Sequence, residues 1–130
     1  MILPLSATAT RRDPEPAPVL SLATWAVSDV TVVEVSGELD VYAADRLAHY
    51  LREEITDGDS VVVDLCLCGY LNLACLGVII GAWKRAEAAG GSLDVACTSD
   101  GQVPAVFRRT GLTAIFTLHH TVMDAVRAAS

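Results

Sequence analysis

The side chains able to do chemistry in this 130-residue chain are four cysteines, three histidines and sixteen carboxylates. Cys66 and Cys68 have the spacing of a strand, which predicts both thiols on one face. A zinc site normally offers paired Cys-x-x-Cys or Cys/His sets, so small buried core residues are the simpler reading. Cys75 differs, because it falls in the first turn of an expected helix. Free amides and the helix dipole there can lower a thiol pKa, which would suit a redox-sensing thiol. His119 and His120 are adjacent, and neighbours on a strand point to opposite faces, so one metal is not shared between them. His49 stands beside Tyr50 on an expected helix. The acidic residues have no spacing that marks a catalytic pair and read as a solvated surface.

Other signatures of catalysis or ligand binding are missing. Gly77 to Gly81 is not a phosphate-binding loop, because no Gly-Lys-Ser/Thr follows at the required spacing. The sequence has no dinucleotide glycine fingerprint and no Gly-x-Ser-x-Gly nucleophile turn. It implies no cofactor. Net charge is −7, and the nine basic residues are scattered, which disfavours nucleic acid. Apolar residues make up 52%, so a packed core is expected. No apolar run reaches the ~18 residues of a membrane span. Met1 to Thr10 has no basic, then long apolar, secretory pattern, and no hydrophobic segment follows Arg11-Arg12. The expectation is a cytoplasmic protein with reduced thiols. Its mean hydropathy of +0.44 suggests a well-covered sheet or an apolar patch kept for a partner.

Those residues must be positioned by the elements around them. Residues 1–18, with Pro4, Pro14, Pro16 and Pro18, read as a flexible tail, and residues 19–130 as one domain. Leu20 to Ala26 and Val30 to Ser36 read as a hairpin turning at Ser28-Asp29. Ala44, Leu47, Ala48, Leu51 and Ile55 recur at helical spacing within Val41 to Ile55, with Asp40 as the N-cap. Val61 to Leu67 is nearly continuous apolar and suits a strand covered on both faces. Asn72 caps a second helix, Leu76 to Ala89, with Leu76, Ile79, Ile80 and Trp83 as its buried stripe. Gly90-Gly91 stops it. A strand around Leu93 to Cys97, a helix Val103 to Arg109, a strand Ile115 to Leu118 and a helix Thr121 to Ala129 follow. Alternating strands and helices predict an α/β fold with a mixed sheet of about five strands and about four helices. Its edge strands leave room for a homodimer.

Several of these segments together resemble one family. Val35-Ser36-Gly37-Glu38-Leu39-Asp40, Val61-Val62-Val63-Asp64-Leu65, Leu76 to Gly81 running into Lys84-Arg85-Ala86, Gly90 to Leu93, and Val106 to Leu112 followed by Ile115-Phe116 are similar, in order and spacing, to STAS domains, specifically bacterial anti-sigma factor antagonists. The resemblance covers about Leu20 to Ala129.

It implies a STAS-like fold and no enzymatic activity. In such antagonists an Asp-Ser-Ser/Thr-Gly-Leu pattern precedes the second helix, and its second hydroxyl is phosphorylated by a histidine-kinase-like serine kinase that is also the anti-sigma factor. The unphosphorylated antagonist binds that kinase. Here the stretch is Asn72-Leu73-Ala74-Cys75-Leu76, with Ala74 at the phosphoacceptor position and no hydroxyl among the five. The resemblance therefore implies a partner-binding face of Asp40, Asn72, Leu73, Ala74, Cys75 and Leu76 that escapes phosphate control at Ala74. The alternatives are a STAS subunit of a lipid-transport ATPase complex, or a degenerate scaffold protein. Thr98 or Ser99 could carry regulation instead.

Overall fold

The computed structural model describes residues 19–130. The proline-rich segment 1–18 lies outside the described residues. Strand β1 (Ser21–Val27) turns at Ser28, whose φ is +54°, into β2 (Val30–Leu39). A 3-10 turn (Val41–Ala43) leads into α1 (Ala44–Glu54), followed by β3 (Ser60–Leu71), α2 (Leu73–Ala88), β4 (Ser92–Ala96) and α3 (Gln102–Arg109). A second 3-10 turn (Leu112–Ala114), β5 (Leu118–His119) and α4 (Val122–Ala129) complete the order. The sheet order is β1-β2-β3-β4-β5. β1 is antiparallel to β2, and the other pairs are parallel, so the α/β expectation with a mixed sheet holds.

The apolar periodicity decides which face each helix covers. Leu47 and Leu51 of α1, Leu76 and Ile79 of α2, and Val103, Val106 and Phe107 of α3 pack on Val33, Val35, Val61, Val63, Leu65 and Val95. On the opposite face, Ala125 and Val126 of α4 cover Val30, Val32, Val62 and Ala96. The central strand β3 feeds both layers, which is why Val61 to Leu65 carries a run of apolar residues broken only by Asp64. The turn from α2 into β4 needs its glycine: a Cβ on Gly91 would collide with the Asp59 carbonyl. That carbonyl accepts the Ser92 N–H at 3.0 Å.

Four expectations change. First, β3 runs on to Leu71 and carries two extra residues relative to β2: Glu34 pairs with Asp64 but Ser36 with Leu67, and Gly37 pairs with Cys68 but Glu38 with Tyr70. Each bulge flips the alternation of side chains. Cys66 therefore joins the α4 layer while Cys68 joins the other, so the two thiols do not share a face. Second, α2 begins at Leu73, three residues before its apolar stripe. Third, Ala82 and Ala86 are buried in α2, while Ile80 and Trp83 are half-buried. Fourth, the last strand is Leu118–His119 rather than Ile115 to Leu118. Ile115 and Phe116 donate their N–H groups back to Leu112 and extend the 3-10 turn. Phe116 is then free to lay its ring edge against Trp83 and Phe107, at centroid distances of 5.9 and 5.7 Å.

Candidate functional site

Parallel β2 and β3 end side by side, with Leu39 paired to Leu71. The chain leaves both strands through a capped turn. Asp40 is extended (φ −80°, ψ −179°), and its carboxylate accepts the Tyr42 N–H at 3.0 Å. Asn72 is extended too (φ −79°, ψ 152°), and its side-chain oxygen accepts the Ala74 N–H at 2.8 Å. A short polar side chain is favoured at both positions because it satisfies an amide the helix leaves free. Both sequence-predicted caps stand where expected.

The two turns are stitched together. The Asn72 N–H donates to the Leu39 carbonyl at 2.8 Å. The Cys75 thiol donates to the Asp40 carbonyl at 3.2 Å. The Gln102 side chain bonds both backbone groups of Leu71, at 2.8 and 2.9 Å. Asp40, Asn72, Leu73 and Ala74 are thereby held on one surface.

Two residues of the expected face are not on it. Cys75 is 0% exposed and Leu76 is 3% exposed. Both point into the core between α2 and the sheet, because the helix starts early enough to turn them inward. The apolar surface expected from four consecutive residues therefore reduces to Leu73, which is 64% exposed, and the exposed Ala74. The structure adds two others. Tyr42 is 90% exposed and Val41 is 54% exposed, on the 3-10 turn beside α2. The sequence carried a sign of this: at helical spacing Tyr42 falls opposite Leu51, away from the buried stripe. Glu38, Asp40 and Asp45 lie within or beside these segments, and no lysine or arginine occurs within 38–45 or 67–76.

The thiols are not activated. Burial pushes Cys75 up to about 11, and the nearby Asp40 and Cys68 push in the same direction. Burial also pushes Cys66 up to about 12, reinforced by its hydrogen bond to Asp64 and by that carboxylate's charge. Burial raises Cys68 and Cys97 as well. The redox-sensing expectation for Cys75 is thus corrected: desolvation of the thiolate outweighs the helix N-terminus. Among the described residues, no group of three or more His, Cys, Asp or Glu could hold a metal ion. Among the same residues, no helix is long and apolar enough to cross a membrane.

The fold has known counterparts. An anti-sigma factor antagonist from Mycobacterium paratuberculosis is similar with a TM-score of 0.77 at 23% identity, over 85% of this chain and 94% of that one. SpoIIAA in its unphosphorylated form is similar with a TM-score of 0.65 at 18% identity, over 82% of this chain and 93% of that one. The Bacillus cell fate determinant SpoIIAA in its phosphorylated form gives a TM-score of 0.61 at 16% identity, over 86% and 100%. At these identities the likeness establishes the fold. A family model described as "Mlab, STAS domain" matches residues 22–119, well over half of the sequence. With strand order, helix placement and family match in agreement, the chain belongs to the STAS domain family.

Proposed function

We propose that this protein is a non-enzymatic interaction module that docks an anti-sigma factor of the histidine-kinase-like serine kinase class. It does so through the surface of Asp40, Val41, Tyr42, Asn72, Leu73 and Ala74, and it works in the cytoplasm. The observation that carries this reading is the exposed methyl of Ala74. It stands at the capped start of α2 where the family resemblance puts a phosphoacceptor hydroxyl. Phosphoserine would add about −1.5 to −2 charges there at pH 7. A methyl cannot accept that charge, so docking at this face escapes that control. Exposed Leu73 and Tyr42 supply the kind of apolar and aromatic anchors that dominate binding energy at interfaces.

Leu73→Asp is the direct probe. It buries a carboxylate in the contact without touching the core, and the affinity for the anti-sigma kinase is expected to fall by tenfold or more, roughly the cost of losing an interface anchor. Met123→Asp, at an exposed position of α4 across the sheet, is the control and leaves affinity unchanged. Isothermal calorimetry on the two variants reads this, and wild-type affinity for Leu73→Asp would refute the assignment of the face. A subunit of a lipid-transport ATPase complex is the second reading, since a face without a phosphoacceptor also suits a constant subunit. Co-purification with an ATPase in place of a kinase would select it.

A further inference from the structure

We infer that Gln102 is a positioning residue for the docking face, acting through the last residue of β3; its effect on binding rests on the function proposed above. The ladder between β3 and β4 runs from Ser60–Ser92 to Asp64–Ala96 and stops. β3 continues to Leu71, so on that side its final residues have no strand to pair with. Leu71 is 1% exposed and needs partners for both backbone groups. Gln102 provides them. Its Oε1 accepts the Leu71 N–H at 2.8 Å, and its Nε2 donates to the Leu71 carbonyl at 2.9 Å. A side-chain amide offers a donor and an acceptor together, which an ionised Glu or a Leu does not.

The geometry gives this clamp leverage. On its other side Leu71 pairs with Leu39, and Asn72 donates to the Leu39 carbonyl. The peptide that precedes the α2 cap is thus held from both sides. Gln102 is itself fixed, because Val103 and Phe107 of the same helix are buried in the core. α3 and the exposed loop 98–101 before it are therefore mechanically joined to the residues that present Leu73 and Ala74. No feature of the sequence announces this role, since the need arises only where β4 ends short of β3.

Hydrogen exchange on the full chain tests the clamp without any partner. Gln102→Leu removes both bonds, and Gln102→Glu keeps only the acceptor. Val126→Ala is the comparison, truncating the core layer on the opposite face of the sheet, under α4. Exchange at residues 71–76 is expected to rise about tenfold or more in Gln102→Leu, and less in Gln102→Glu, as expected for losing two bonds or one. Residues 82–88 of α2 should keep their wild-type rates. An even rise along α2, or the same profile in Val126→Ala, overturns the proposal. Calorimetry with the anti-sigma kinase adds the binding readout. Gln102→Leu should weaken affinity at least threefold, with Val126→Ala near wild type, and unchanged affinity in Gln102→Leu overturns the positioning role. If the wild-type chain binds no such kinase, the function proposed above fails, and the exchange result still decides whether the clamp exists.

Discussion

Phe107→Ala should destabilise the domain by about 3–5 kcal/mol, the usual loss for a phenylalanine cut from a core. Phe107 is 0% exposed, and its ring meets Phe116 edge-on at 5.7 Å and 84°. Truncation loses its transfer free energy, leaves a cavity, and removes an aromatic pair worth about 0.5–1.5 kcal/mol beyond area. The same ring seats α3 on the sheet, so the variant also loosens the helix that carries Gln102. A domain of this size has about 5–15 kcal/mol of stability, so the loss is a large fraction of the whole. Urea unfolding should show a lower midpoint at an unchanged slope. A loss under about 1 kcal/mol would mean the site refills and the ring is not the anchor described. Ile115→Ala, at an exposed position, should shift stability by no more than about 0.5 kcal/mol.

The native thiols should resist alkylation. Cys75 is pushed up to about 11 and Cys66 to about 12, from an ordinary value of 9.0. Two pH units cut the thiolate fraction near neutrality about a hundredfold, and burial slows attack further. Iodoacetamide at pH 7.5 should therefore modify the folded protein at least about a hundred times more slowly than the unfolded one, in which all four cysteines become accessible. Rapid labelling of Cys75 in the folded state would restore the redox role. The same shifts give a pH dependence. The folded state holds these protons more tightly than the unfolded chain. Their contribution to stability is complete below about pH 9 and is lost as pH rises through about 11 to 12. Denaturation midpoints should fall across that alkaline window.

Much of the architecture was legible because it follows from local pattern. Leu47 and Leu51 repeat at helical spacing, Val61 to Leu65 announces a buried strand, and Asp40 and Asn72 are caps by side-chain chemistry. Asn72 as the cap already points to a start of α2 at Leu73, which stands three residues before Leu76 at helical spacing. What the spacing does not show is that Leu73 and Ala74 are exposed, at the residues that form the candidate face. The spacing of Cys66 and Cys68 misleads because alternation presumes an unbroken ladder, and the two bulges exist only in the pairing of β3 with β2. Cys75 misleads for a related reason. Position in a helix's first turn is visible in sequence, but the desolvation that overrides it depends on what packs above. Gln102 and Tyr42 mark the same divide. The exposed side of Tyr42 can be read from spacing, whereas the bond from Gln102 to Leu71 spans elements that only the fold brings together.

The proposed docking at the start of α2 does not depend on phosphate, because the position that would take it is a methyl. The direct measurement is the dissociation constant for the anti-sigma kinase with and without Mg-ATP, with intact mass recorded on the same samples. The wild-type chain should gain no phosphate, and its affinity should stay the same. Ala74→Ser should gain one phosphate and then bind at least about tenfold more weakly, as a doubly charged group enters the contact. A wild-type chain that takes up phosphate and releases its partner when ATP is added would contradict docking free of phosphate control.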